Sequence, residues 1–262
     1  MTITEPRDEA DLPAGDFDYD AHGPGYALVR RPDPRIAARV HAALGDARTV
    51  LNVGAGAGSY EPADRYVVAV EPSATMRAQR PAGAVPAIDA VAERLPFDDD
   101  SFDAVMATMT VHQWPDLRGG LRELRRVARG PVVVLTGDGE ALDRFWLARY
   151  APEVVAVERR RFPPVELITS LISARAEVTP VPIPIDCVDG FAEAFYARPE
   201  RFLDPRVRGA QSAWGFVDDA DETRAMERLR ADLDSGAWDD RYGGLRTQPE
   251  FIGSLRLIVG QP

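Results

Sequence analysis

The stretch VLNVGAGAGSYEP, residues 50–62, constrains the fold of this chain more than any other. Val50, Leu51, Asn52 and Val53 read as a buried strand, and Gly54, Gly56 and Gly58 follow directly, separated by alanines. Glycine at the end of a stiff strand lets the backbone turn sharply and lets a ligand come close to it. The spacing is G-x-G-x-G, with Ser59 where a dinucleotide fingerprint would place its third glycine. About seven residues separate Gly58 from the next strand at Tyr66, room for one or two helical turns. Such a helix is a poor platform for a pyrophosphate.

The rest of the chain alternates strand and helix patterns. PDPRIAARVHAALGD predicts a helix with Asp33 as N-cap, Pro34 in first position, and Ile36, Val40, Ala43 and Leu44 on one face. RYVVAVEP reads as a strand ending in Glu71, SATMRAQR as a short helix opened by Ser73, and AVPAI as a weak strand. SFDAVMATMT and PVVVLT read as further strands, the second an unbroken apolar run of the kind carried by parallel strands buried on both faces. Between them Leu117, Leu121, Leu124 and Val127 form a helical stripe. PPVELITSLISA predicts a helix, AEVTPVPIPI an extended segment and SLRLIVG a final strand.

This order predicts an α/β fold: a Rossmann-like, doubly wound, mostly parallel seven-stranded sheet with a helical insertion before the last strand. The expected divisions are a mobile N-terminal arm at 1–30, a ligand-binding core at 31–186, a helical substrate cap at 187–250 and the last core strand at 251–262. Within the cap, Phe191, Phe195, Tyr196, Phe202, Trp214 and Phe216 recur at helical spacing, suiting either a core or a roof. Arg198 offers a site for an anionic group, or a surface pair with Glu200 or Asp204.

Composition excludes several chemistries. A net charge of −11 opposes nucleic acid and anionic membrane as partners. All 31 basic residues are arginine, so P-loop, Schiff-base and pyridoxal-phosphate chemistry lack their amine. The single Cys187 forms no internal disulfide, and no Cys/His cluster has metal-site spacing. No apolar run approaches the roughly 18 residues of a membrane span, and the acidic N-terminus is unlike a signal peptide. A cytoplasmic protein is expected, and the lysine-free composition fits GC-rich coding and an actinobacterial source.

Four segments, VLNVGAGAG, VVAVEPSATM, AERLPFDDDSFDAVMA and LRELRRVARGPVVVLT, resemble in order and spacing the class I S-adenosylmethionine-dependent methyltransferases. Within that family the chain is similar to the small-molecule, ubiquinone/menaquinone methyltransferase-like group. The resemblance implies S-adenosylmethionine as cofactor, its methionine part approached by Gly54, Ala55 and Gly56 and its ribose held by Glu71. Pro72 and Met76 would lie near the adenine, with Val91 and Ala92 at its edge. Tyr26 and Arg31, in GYALVRRPDP, are placed on the cofactor carboxylate, with Arg30 a close rival. Asn52 is assigned to the same site, where the family usually has Asp or Glu, and Val91 stands where relatives often carry Asp.

Methyl transfer is an in-line displacement, so the nucleophile must be held opposite the sulfur. A general base adds roughly 10²–10⁴-fold when the nucleophile is a hydroxyl or an acidic carbon. His112, after the fourth strand in TMTVHQWPD, is the candidate catalytic base; the competing reading packs it beside Trp114. His22 falls in the arm and His41 on a helix. The expected activity is methylation of a small organic molecule by a monomer or homodimer. The alternatives are a non-methylating reaction such as a cyclisation, a nicotinamide-dependent oxidoreductase, and a non-catalytic S-adenosylmethionine-binding partner.

Overall fold

β1 (Thr49–Val53) buries Val50, Leu51, Asn52 and Val53 completely, as a central strand covered on both faces must. It pairs in parallel with β2 (Tyr66–Val70) on one side and β4 (Ala104–Thr108) on the other. β3 (Ala87–Ile88) extends the sheet beyond β2 and β5 (Val132–Gly137) beyond β4, again in parallel. β9 (Leu255–Gly260) then runs antiparallel between β5 and β6 (Ala176–Pro180). The order β3-β2-β1-β4-β5-β9-β6 is the expected Rossmann-like, mostly parallel seven-stranded sheet. A two-stranded pair, β7 (Ile183–Pro184) with β8 (Glu250–Phe251), closes the base of the insertion. The computed structural model describes Phe17 and residues 26–262; the rest of the predicted arm, with His22, lies outside the described residues.

Strand alternation sends Val50, Met106 and Val133 into one hydrophobic layer and Leu51, Val105 and Val134 into the other. Helices Leu117–Val127 and Val165–Ile172 cover the second layer through Leu121, Leu124, Ile168 and Ile172, all with no exposed surface. Helix Pro34–Ala43 covers the first through Ile36 and Val40, and Asp33 caps it as predicted, accepting from the Arg35 N–H at 3.0 Å. The aromatics of the insertion join that same layer. Tyr196, Phe202 and Trp238 have no exposed surface, and each such side chain contributes about 1.5–3 kcal/mol by burial. Of the six aromatics singled out in the sequence only Phe216 is exposed, so they are mainly core. Arg198 Nη2 donates to the backbone carbonyls of Cys187 and Ala194, both at 2.7 Å.

Two segments depart from the sequence reading. No helix follows β1, because Gly54, Gly56, Gly58 and Tyr60 all have positive φ, and consecutive right-handed turns cannot form there. Residues 138–163, in contrast, hold a 3-10 segment and two helices, Leu147–Tyr150 and Pro152–Arg161. Pro152 and the short turns break the apolar stripe into pieces too brief for periodicity to show.

Candidate active site

Strand order reverses between β1 and β4, and in open α/β sheets the crevice at such a point, beyond the carboxyl ends of the strands, binds the ligand. Here it is a cavity of about 360 Å³, within the usual range for small-molecule sites. Gly54 and Gly56 form its floor with φ of +66° and +50°. A Cβ on Gly54 would stand 2.1 Å from Thr110 Oγ1, so only glycine lets the turn pass beneath the loop after β4.

Glu71 ends β2 and is 8% exposed. Its Oε2 accepts the Gly56 N–H at 2.8 Å and its Oε1 the Ser73 N–H at 2.9 Å. Burial raises the carboxyl pKa against these donors and the nearby Arg77 and Arg80. Each oxygen keeps a lone pair for a further donor, so the carboxylate can still grip a pair of hydroxyls. Ser73 caps helix Ala74–Ala78 as predicted, which seats Met76 in the wall. Pro72, Ala55, Val91 and Ala92 also line the cavity.

On the amino-terminal side the structure selects Arg30 over Arg31. Arg30 donates its backbone N–H to the Tyr26 carbonyl and Nη1 to the Tyr26 hydroxyl, at 2.9 and 3.0 Å, so the two residues share one helical face and both line the cavity. Arg31, one residue further round, is exposed and does not line it. Arg30 Nε also donates to Asp189 Oδ1, and the Tyr60 hydroxyl to Asp189 Oδ2, both at 2.7 Å. Burial works against the Arg30 charge, but Asp189 outweighs it and keeps the guanidinium ionised.

Asn52 is the second correction. It is fully buried beneath the cavity and does not line it. Its Nδ2 donates to Glu61 Oε1 at 3.0 Å, and Arg80 Nη2 clamps both Glu61 oxygens at 2.8 and 2.9 Å. Asn52 thus serves as a donor to the acidic Glu61.

His112 lies in the turn Val111–Gln113 after β4, 7% exposed and outside the main cavity. Its ring meets Phe162 edge-to-face at 5.1 Å, and no described residue bonds its Nδ1. Burial, reinforced by Arg161 and Arg30, drives its pKa well below the usual value, so the imidazole is neutral and a weak base. Phe17, Met109 and Trp114 also line the cavity; sequence reasoning assigned none of the three to the site. Among the described residues no group of three or more His, Cys, Asp or Glu could hold a metal, and no helix is long and apolar enough to cross a membrane.

Residues 51–135, the segment from β1 to β5, match the family model described as a methyltransferase domain. The chain is 34% identical over 133 residues to a demethylmenaquinone methyltransferase of Mycolicibacterium paratuberculosis, spanning 47% of this chain and 56% of that relative's length. A methyltransferase ascribed to an antibiotic biosynthesis pathway of Anabaena variabilis superposes with a TM-score of 0.82 and 31% identity, over 88% of this chain and 98% of that one. The [4+2]-cyclase SpnF shares the fold alone, with a TM-score of 0.52 and 14% identity over 93% of this chain and 94% of that one. The family's cofactor fits the cavity: a glycine-lined floor, a carboxylate with lone pairs to spare and an ionised guanidinium in the lining. The chain belongs to the class I S-adenosylmethionine-dependent methyltransferases.

Proposed function

We propose that the protein transfers a methyl group from S-adenosylmethionine to a small organic acceptor. The observation that carries this reading is the cavity at the β1–β4 reversal, with Glu71 bonded to the glycine floor and Arg30 at the amino-terminal wall. In it Glu71 holds the ribose hydroxyls, Gly54 to Gly56 accept the methionine portion, and Arg30, rather than Arg31, faces its carboxylate. Ala92 and Val91 border the adenine. The bound cofactor supplies an electrophilic methyl, and the protein holds the acceptor in line with it while excluding water.

A nicotinamide dinucleotide is disfavoured because its pyrophosphate needs a helix N-terminus, and the segment after β1 is a set of turns. Calorimetric titration with S-adenosylmethionine, S-adenosylhomocysteine and NADH tests the reading. Binding of the two sulfur ligands, lost in Glu71→Ala, with none of NADH, is expected. Failure of both to bind the wild type would overturn it. Binding with no S-adenosylhomocysteine formed from any acceptor would favour a non-methylating reaction such as a cyclisation.

A further inference from the structure

Arg30 reaches the cavity wall from the amino-terminal segment, but its strongest bond comes from the insertion. Asp189, at the entry to that insertion, has a side chain 2% exposed. Its Oδ1 accepts from Arg30 Nε and its Oδ2 from the Tyr60 hydroxyl, both at 2.7 Å. Arg30 and Tyr60 line the main cavity, and Asp189 stands behind them. One carboxylate bonded to both ties their positions together, and the bond to Arg30 is of the strong, charge-assisted kind. With Nη1 on the Tyr26 hydroxyl at 3.0 Å, Nη2 and the second N–H of Nη1 are the donors left to meet a ligand. The neighbours of Asp189 make the same junction. Val188 N–H donates to Asp33 Oδ2 at 3.2 Å, and Arg35 Nη1 to Asp186 Oδ1 at 2.6 Å. A Cβ on Gly190 would stand 2.3 Å from Val29 Cγ1 and 2.7 Å from the Val29 carbonyl oxygen, an approach only glycine permits. Tyr60 holds the other side: its φ is +63°, uncommon for a residue with a side chain, and its carbonyl meets His41 Nε2 at 2.9 Å. Residues 186–190 thus fasten the segment 29–35 to the end of the glycine turn.

We infer that Asp189 is a positioning residue for the cofactor: from the insertion it sets the Arg30 guanidinium at the cavity wall, where Arg30 meets the cofactor's carboxylate. This role rests on the methyltransferase reading above, and it gives the insertion a share in cofactor recognition. Two effects of Asp189 oppose each other. Its negative charge weakens the pull of Arg30 on an anion. Its bond also keeps in place a guanidinium whose side chain is 11% exposed, and which burial alone would drive toward solvent. The anchoring effect prevails, because a buried charge stripped of its partner is strongly disfavoured and Arg30 then leaves the wall. The guanidinium is in place only part of the time, and affinity for the carboxylate falls by that fraction. The sign of the change therefore separates positioning from simple charge.

The test compares two ligands by calorimetric titration of the full chain. S-adenosylhomocysteine carries the carboxylate; 5′-methylthioadenosine keeps the adenosine and the thioether but lacks the amino-acid portion and is uncharged. Asp189→Asn should bind S-adenosylhomocysteine about tenfold more weakly, the worth of one charge-assisted hydrogen bond, and 5′-methylthioadenosine within about twofold of wild type. A merely structural role would weaken both ligands alike. In the Arg30→Met background Asp189→Asn should cause no further loss, because Asp189 acts through Arg30. Tyr60→Phe removes the second anchor of Asp189 and keeps its charge; the preference for S-adenosylhomocysteine should fall about threefold, and this variant carries the test if Asp189→Asn does not fold. Equal weakening of the two ligands in Asp189→Asn would overturn the proposal. So would S-adenosylhomocysteine binding as tightly as in wild type or tighter, or a preference unchanged in Tyr60→Phe. Failure of S-adenosylhomocysteine to bind the wild type would instead strike the cofactor reading, and the proposal with it.

Discussion

Glu158→Gln should make the protein more stable, increasingly so as pH rises. In the folded chain the Glu158 carboxyl is pushed from the ordinary 4.5 to about 7, first by burial and then by Glu193, with Arg161 and Arg30 only partly opposing. The folded state therefore holds this proton more tightly than the unfolded one. Its contribution is fully present below the ordinary value and is lost as pH rises through about 7. At about 1.4 kcal/mol per unit, the window amounts to roughly 3 kcal/mol in all, and to roughly 2–3 kcal/mol between pH 5 and pH 8. Glutamine keeps the shape and removes the titration. Urea unfolding of both proteins, followed by fluorescence of the four tryptophans, gives the stability difference at each pH. The variant should gain on wild type by that amount from pH 5 to pH 8, since every other titrating group is common to both. A difference that stays constant within about 0.5 kcal/mol, the scatter expected of independent sites, would refute the electrostatic reasoning.

Other perturbations separate the remaining contacts. Gly54→Ala places a methyl against Thr110 in a left-handed backbone; a loss of about 2–4 kcal/mol and of S-adenosylhomocysteine binding is expected, partly restored by adding Thr110→Ala. Asn52→Asp, which installs the acid more usual in the family, sets a second carboxylate against Glu61 in a buried position. Its melting temperature should fall at pH 8 and recover at pH 5 as one proton is shared between the two. Asp189→Ala strands Arg30 and the Tyr60 hydroxyl; about 3–5 kcal/mol of stability should be lost in denaturant titration, with weaker cofactor binding in calorimetry.

What the sequence disclosed was local. The buried strands at residues 49–53, 104–108 and 132–137, and the caps at Asp33 and Ser73, follow from residue type and spacing within a few positions. The choice of Arg30 over Arg31 was also local in principle, since Arg30 stands four residues after Tyr26 and shares its helical face. The hidden parts depend on partners far along the chain: Asp189 meets Arg30 across 159 positions. Glu158 gains its environment from Glu193 and Arg30, which no spacing on its own helix reveals. Asn52 looked like a loss of charge until Glu61 and Arg80 were seen beside it.

The placement of β9 between β5 and β6 has a consequence for biosynthesis. Among the described residues β6 pairs with no strand but β9, so when residues 176–180 leave the ribosome that neighbour is not yet made. β5 meanwhile presents an open edge until residues 255–260 arrive. Some seventy-five residues of mostly helical chain are made in that interval. During it the nascent protein exposes a strand edge able to pair with another chain, so a slow codon tract before residue 255 is where aggregation in synthesis would be felt most.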